Sequence, residues 1–149
     1  MDQCQWNGRG PVENYSDRKL SQNVGIYKST ADELFFPYVR PQETGTMSDL
    51  RWWNQTDGGG FGFRIESDKL FSASALHYDL LTLDEGEEKH QRHSQSVEKS
   101  KYTNMFIDLV QEGVGGVNSW DADGRARKGH RVEYKDYTFK FRLSPKTVY

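Results

Sequence analysis

YTFKFRL, residues 137–143, is the stretch from which the fold class is read. Successive side chains of an extended chain point to opposite faces, so Tyr137, Phe139, Phe141 and Leu143 share one side and Thr138, Lys140 and Arg142 the other. The pattern predicts a half-buried β-strand. Just upstream, Val132 and Tyr134 have the opposite parity, so Lys135 and Asp136 are expected to hold a bulge or turn that flips the register. The same period recurs in GFGFRI (residues 60–65), and LRWWNQ (50–55) and TNMFIDLV (103–110) are rich in aromatic and branched residues, which predicts three more strands. Gly58, Gly59 and Gly60 after Asp57 read as the flexible turn joining two of them.

Helix signals are few. STADELFF (29–36) opens with Ser29 and Thr30, and Glu33 three residues after Thr30 completes a capping box for one short turn. YDLLTLDEGEEKHQRHS (78–94) carries at most a turn or two of helix, because Gly86 interrupts it. The charged stretch Glu85 to Lys101 reads as a solvated connector. With no repeat of 20 to 50 residues, the chain is expected to be all-β, a single domain over residues 1–149, built as an antiparallel β-sandwich with long loops.

A compact chain of 149 residues buries roughly 70% of its unfolded surface. Only 34% of its residues are hydrophobic and its mean hydropathy is −0.91, which predicts a thin core. Four Trp, eight Tyr and eight Phe supply that core with large burial areas per residue. The net charge of −2 and the absence of a sustained basic run, the short Arg125–Arg131 loop aside, exclude recruitment of nucleic acid by counterion release. No stretch reaches the about 18 apolar residues of a membrane span, and the polar start MDQCQWNGRG (1–10) has no apolar signal-peptide region. Cys4 stands alone, so no internal disulfide can form.

Chemistry-bearing patterns are sparse. His90 and His93 stand one helical turn apart, with His77 and His130 elsewhere, but zinc needs three or four convergent ligands and no CxxC or HExxH accompanies them, so no metal is expected. DADG (121–124) lacks most positions of a calcium loop and reads as a turn. Glu85, Glu87 and Glu88 sit in the charged connector, where water relieves their repulsion, and form no catalytic pair. GRGPVENYSDR (8–18) invites two readings: a loop that binds a polar ligand through side-chain hydrogen bonds, or one that locks itself together through Arg18 with Asp17 or Glu13 and through Asn14 on backbone. PYVRPQETG (37–45), stiffened by Pro37 and Pro41, offers Glu43 as a contact near the loop that carries Trp120. That loop, GVGGVNSWDADG (113–124), uses Gly113, Gly115 and Gly116 for positive φ and close backbone approach, which lets a side chain reach a neighbouring cleft. Trp120 is then either a plug over the end of the core or a flat apolar contact delivered to that cleft.

Four blocks in order, WNGRGPVENYSDRK (6–19), PYVRPQETG (37–45), FSASALHYD (71–79) and GVGGVNSW (113–120), resemble the C-terminal domain of large multidomain bacterial β-galactosidases of glycoside hydrolase family two. The resemblance runs over nearly the whole chain. It implies a sandwich of the galactose-mutarotase-like type, of which this chain matches about the second half. It also implies that the nucleophile and acid/base glutamates lie in a separate (β/α)₈ barrel, for which 149 residues leave no room. The chain alone is then inactive and needs no cofactor, and its partners are that barrel and a β-galactoside or acceptor sugar, in whichever compartment, cytoplasm or periplasm, the parent occupies. The resemblance gives Trp120 the role of platform on the leaving-group side. Many family members carry acidic residues before the Ser-Trp pair where this chain has Val117 and Asn118, which leaves Asn118 and Glu43 as weak polar contacts. The missing half of the sandwich implies an uncovered apolar face and self-association. The competing reading is a free-standing carbohydrate-binding module, which needs a row of exposed aromatics, whereas Trp52 and Trp53, as strand neighbours, present only one outward ring.

Overall fold

A computed structural model describes residues 1–84, 92–118 and 122–147. Its strands are β1 (Gln3–Gly10), β2 (Asn23–Thr30), β3 (Met47–Thr56), β4 (Gly62–Leu76), β5 (Asn104–Asp108) and β6 (Phe141–Lys146), with two one-turn helices, α1 (Ala31–Leu34) and α2 (Leu80–Leu83). Every pairing is antiparallel, and the six strands form one sheet in the order β2-β1-β3-β4-β5, with β6 also on β4. The architecture is all-β and sandwich-like. The long β4 serves two partners in turn: its first half, Gly62–Ser67, pairs with β6, and its second half, Ser72–Leu76, pairs with β5.

Cross-strand registers place Tyr27, Trp6, Trp53, Ile65 and Leu143 side by side on one face. Trp6 and Trp53 stack at 5.4 Å with planes 15° apart, and Tyr27 meets Trp6 at 5.7 Å. Trp6, Trp53 and Ile65 are completely buried, whereas Leu143, at the β6 end of the same row, is 58% exposed. Phe141 and Phe61 are also at least half exposed, so the apolar face runs out uncovered toward β6. Along the second half of β4, by contrast, Ala73, Ser74, Ala75 and Leu76 are all buried, and Tyr78, Leu83, Val97 and Leu34 close the core cluster there.

Local signals behave as their chemistry requires. The capping box forms: the Thr30 hydroxyl accepts from the Glu33 amide at 3.2 Å and the Glu33 carboxylate accepts from the Thr30 amide at 3.0 Å. Asp57 closes the glycine turn by accepting from the Gly59 and Phe61 amides, with Gly60 at φ +83°. Two expectations are corrected. The strand read at 137–143 begins only at Phe141, because past Ser67 the carbonyls of Lys140 and Thr138 are taken by the Ser67 hydroxyl and the Lys69 ammonium instead of by a ladder. Val132 and Tyr134, read as a further strand or one bulged strand, are exposed and outside any strand. β1 and β2 were not legible as strands.

β3 is broken by register shifts around Asp49, which has φ +52°. That conformation is costly for a non-glycine residue and is held from outside. The Arg9 guanidinium meets the carboxylate at 2.6 Å and the Lys19 ammonium meets it at 2.7 Å. Burial pushes the Asp49 carboxyl up, but Lys19 and Arg9 outweigh it and hold it below the ordinary carboxylate range. A carboxyl depressed in the fold contributes stability that is present above its unfolded value and lost as pH falls through the folded one. Chemical denaturation across an acid series is therefore expected to show stability declining below the ordinary aspartate range, with Asp49→Asn removing part of that decline and lowering stability at neutral pH by about 1 to 3 kcal/mol.

Candidate functional site

One end of the sheet gathers all the loop blocks singled out in the sequence. Glu13 is the hub. Its side chain is 7% exposed and accepts from five donors: the Arg18 guanidinium at 3.1 Å, the Tyr38 hydroxyl, the Tyr15 hydroxyl at 3.3 Å, the Thr44 hydroxyl at 3.2 Å and the Gly45 amide at 2.8 Å. Burial raises the phenol of Tyr15, and the charge of Glu13 pushes it the same way. Next to it Asn14 is fully buried. Its side-chain amide donates to the Val12 carbonyl at 2.9 Å, and its carbonyl accepts from the Ser48 amide at 3.1 Å and from the Ser48 hydroxyl. Of the two readings of residues 8–18, the self-locking one describes these bonds, and Arg18 pairs with Glu13 rather than with Asp17.

Asp17 reaches elsewhere. Its carboxylate accepts from the Val114 amide at 3.2 Å and from the Gly115 amide at 2.8 Å, joining the first motif block to the glycine-rich loop across 97 residues of chain. On its other side the loop is tied to residues 123–130, by the Gly113 amide on the His130 carbonyl at 2.8 Å and the Val117 amide on the Asp123 carbonyl at 2.7 Å. Close approach is what the glycines provide here. A Cβ on Gly113 would stand 2.3 Å from the Asp17 carboxylate, and one on Gly116 would stand 2.3 Å from the Gly124 carbonyl oxygen. Neither Gly113, Gly115 nor Gly116 has a positive φ, so that half of the sequence expectation is corrected.

Of the predicted site residues, Asn118 is half-buried at the end of the described part of this loop, and Trp120 lies outside the described residues. Glu43 sits in the wall of a cleft of about 300 Å³ between residues 40–44 and α2, floored by Leu76, Leu83 and Phe106. Its carboxylate accepts from the Thr46 hydroxyl at 2.7 Å. Burial pushes its pKa up, Thr46 opposes that, the nearby Asp108 charge adds to it, and the Gln111 amide opposes it. Gln111, one of the groups that acts on Glu43, stands two residues before Gly113. The role of Asp17 had no local signal, because its partners are distant in sequence.

Chemically this end of the sheet spends its carboxylates on architecture. Glu13, Asp17 and Asp49 each accept from two or more donors that belong to other segments. His93 bonds the Val39 carbonyl at 3.2 Å, its partner in the suspected pair, His90, lies outside the described residues, and His77 bridges Asp32 and Thr103. Among the described residues no group of three or more His, Cys, Asp or Glu is arranged to hold a metal ion. Ala122–Gly124 form a 3₁₀ turn, as DADG suggested.

Comparison with known proteins gives the family. The family model described as beta galactosidase small chain matches residues 1–143. Among curated proteins, a β-galactosidase of Priestia megaterium is 33% identical over 145 residues, 97% of this chain and 13% of its own length. β-Galactosidase BgaC of Bifidobacterium adolescentis is 35% identical over 116 residues, 76% of this chain and 10% of its own. A β-galactosidase of Pseudoalteromonas haloplanktis is 30% identical over 142 residues, 93% of this chain and 12% of its own. The chain spans 10% to 13% of the length of these relatives. Matched over nearly all its residues, it belongs to the β-galactosidase small-chain family.

Proposed function

We propose that this chain is a non-catalytic part of a retaining β-galactosidase, the C-terminal portion of its sandwich domain, and that it completes the leaving-group side of the sugar site. Trp120 is the platform on which the acceptor or leaving sugar stacks, with Asn118 on the same loop and Glu43 at its root as the polar candidates. The observation that carries this reading is the chain's share of its relatives: about seven-eighths of each β-galactosidase lies outside the match, ample for a catalytic barrel. The anchored glycine-rich loop supports it, since a binding loop is useful only where the scaffold fixes its position.

The alternative, a free-standing carbohydrate-binding module, asks for open aromatic faces. On the outer face of the sheet Trp52 carries the Arg64 guanidinium 4.3 Å above its ring, and Arg64 and Arg142 are both paired with Glu66. The aromatic that a module would use is already stacked.

Three outcomes follow. The isolated chain turns over no β-galactoside, and measurable release from a chromogenic galactoside by pure chain would sink the non-catalytic assignment. In the full-length parent, Trp120→Ala weakens binding of a disaccharide or acceptor sugar by roughly tenfold, the loss of one aromatic stacking contact. Normal acceptor binding by that variant would leave Trp120 as a plug. The uncovered row ending at Phe141 and Leu143 is where the rest of the parent covers the sheet, so the isolated chain self-associates through it, while Phe141→Lys with Leu143→Lys is monomeric by analytical ultracentrifugation.

A further inference from the structure

The geometry points to Asp17 as a positioning residue: it sets the stance of the glycine-rich loop and, through it, how the site divides a galactosyl group between an acceptor sugar and water. This rests on the reading that residues 113–118 border the leaving-group side.

Asp17 sits at the tip of a tight turn. The Tyr15 amide donates to the Arg18 carbonyl at 3.3 Å and the Arg18 amide returns a bond to the Tyr15 carbonyl at 3.0 Å, which leaves Ser16 and Asp17 as the turn's two central residues. The residues that follow fix that turn to the fold. Arg18 is held by buried Glu13 and Lys19 by Asp49, so three consecutive charged side chains lock three different segments. Asp17 is the one that points away from the turn's own support and reaches another loop.

An acid suits the position. Two successive backbone N–H groups converge on it, one to each oxygen, and an ionised carboxylate offers only acceptors. An asparagine would turn its amide toward one of those two donors. The loop is pressed between this carboxylate and residues 123–130, and the closeness is real, since a Cβ on Gly113 would overlap both Asp17 and His130. Removing the carboxylate leaves Val114 and Gly115 without their anchor while the bonds of Gly113 and Val117 to the opposite segment remain. The loop is then hinged on one side only.

The experiment uses the full-length enzyme with an aryl β-galactoside as donor and glucose as acceptor. In the retaining reaction the galactosyl C1 bond to the enzyme carboxylate breaks, a new bond forms to the oxygen of glucose or water, and that oxygen's proton passes to the general base. The ratio of transfer to hydrolysis reads acceptor-side geometry alone, because a loss of folded enzyme scales both products equally. Asp17→Ala is expected to lower the ratio about threefold or more, and the isosteric Asp17→Asn to lower it less. Backbone amide exchange at Val114 and Gly115 quickens in both. The loss shrinks when Trp120 is already alanine, as residues acting through one another require. An unchanged ratio in both Asp17 variants overturns the inference whatever Trp120→Ala does. A ratio moved by Asp17→Ala but not by Trp120→Ala keeps Asp17 as the positioning residue and removes Trp120 from the acceptor site. Where Trp120→Ala itself lowers the ratio, equal Asp17→Ala losses in the wild-type and Trp120→Ala backgrounds overturn the route through this loop.

Discussion

A charge taken out of water holds this end of the molecule together. Glu13 is desolvated, and desolvation alone would be prohibitive for a carboxylate, so the fold supplies five donors drawn from the turn that follows it and from residues 38–45. The dependence runs outward from there. With Glu13 satisfied, Arg18 is fixed; with Arg18 fixed, the Tyr15–Arg18 turn is closed; with the turn closed, Asp17 stands where the amides of Val114 and Gly115 can meet it. A glycine-rich loop has little conformational preference of its own, so its place in space is borrowed from this chain of contacts. Breaking the first link leaves several donors buried without an acceptor, which costs more than any one bond is worth.

The sheet and the loop end are stabilised by different means. Along the row from Trp6 to Ile65 the contribution is apolar area and ring stacking, concentrated in few residues because the sequence has few apolar ones. At the loops it is polar satisfaction. The two meet at β1, which carries Trp6 into the row and Arg9 toward Asp49, so one strand serves both.

What could be read from the sequence was whatever acts over short distances. The Thr30–Glu33 capping box, the Asp57 turn and the aromatic strands β3 and β4 are all specified by neighbours, and all were anticipated. β1 escaped because two of its four inward positions are Gly8 and Gly10, which contribute nothing to a hydrophobic alternation. β2 escaped for the opposite reason: Val24 and Ile26, its aliphatic residues, face outward and stay exposed. The end of the chain misled because apolar alternation reports a shared face and not its burial: Phe141 and Leu143 do share one, yet both are at least half exposed. At the candidate site the motif blocks were legible as blocks, and two of them, residues 8–18 and 37–45, meet at Glu13. The bond between Asp17 and the glycine-rich loop was not legible, since no local pattern encodes a contact across 97 residues.

β4 carries β5 on one half and β6 on the other. The chain between those two strands, residues 109–140, therefore leaves the sheet from one stretch of β4 and returns to a different one, and its length is not set by any shared register. Insertions and deletions there change no pairing in the sheet. For an evolving lineage this is a protected workshop: length can change between the tied residues without disturbing the sheet, while Gly113 and Gly116 stay small where Asp17, His130 and the Gly124 carbonyl crowd them.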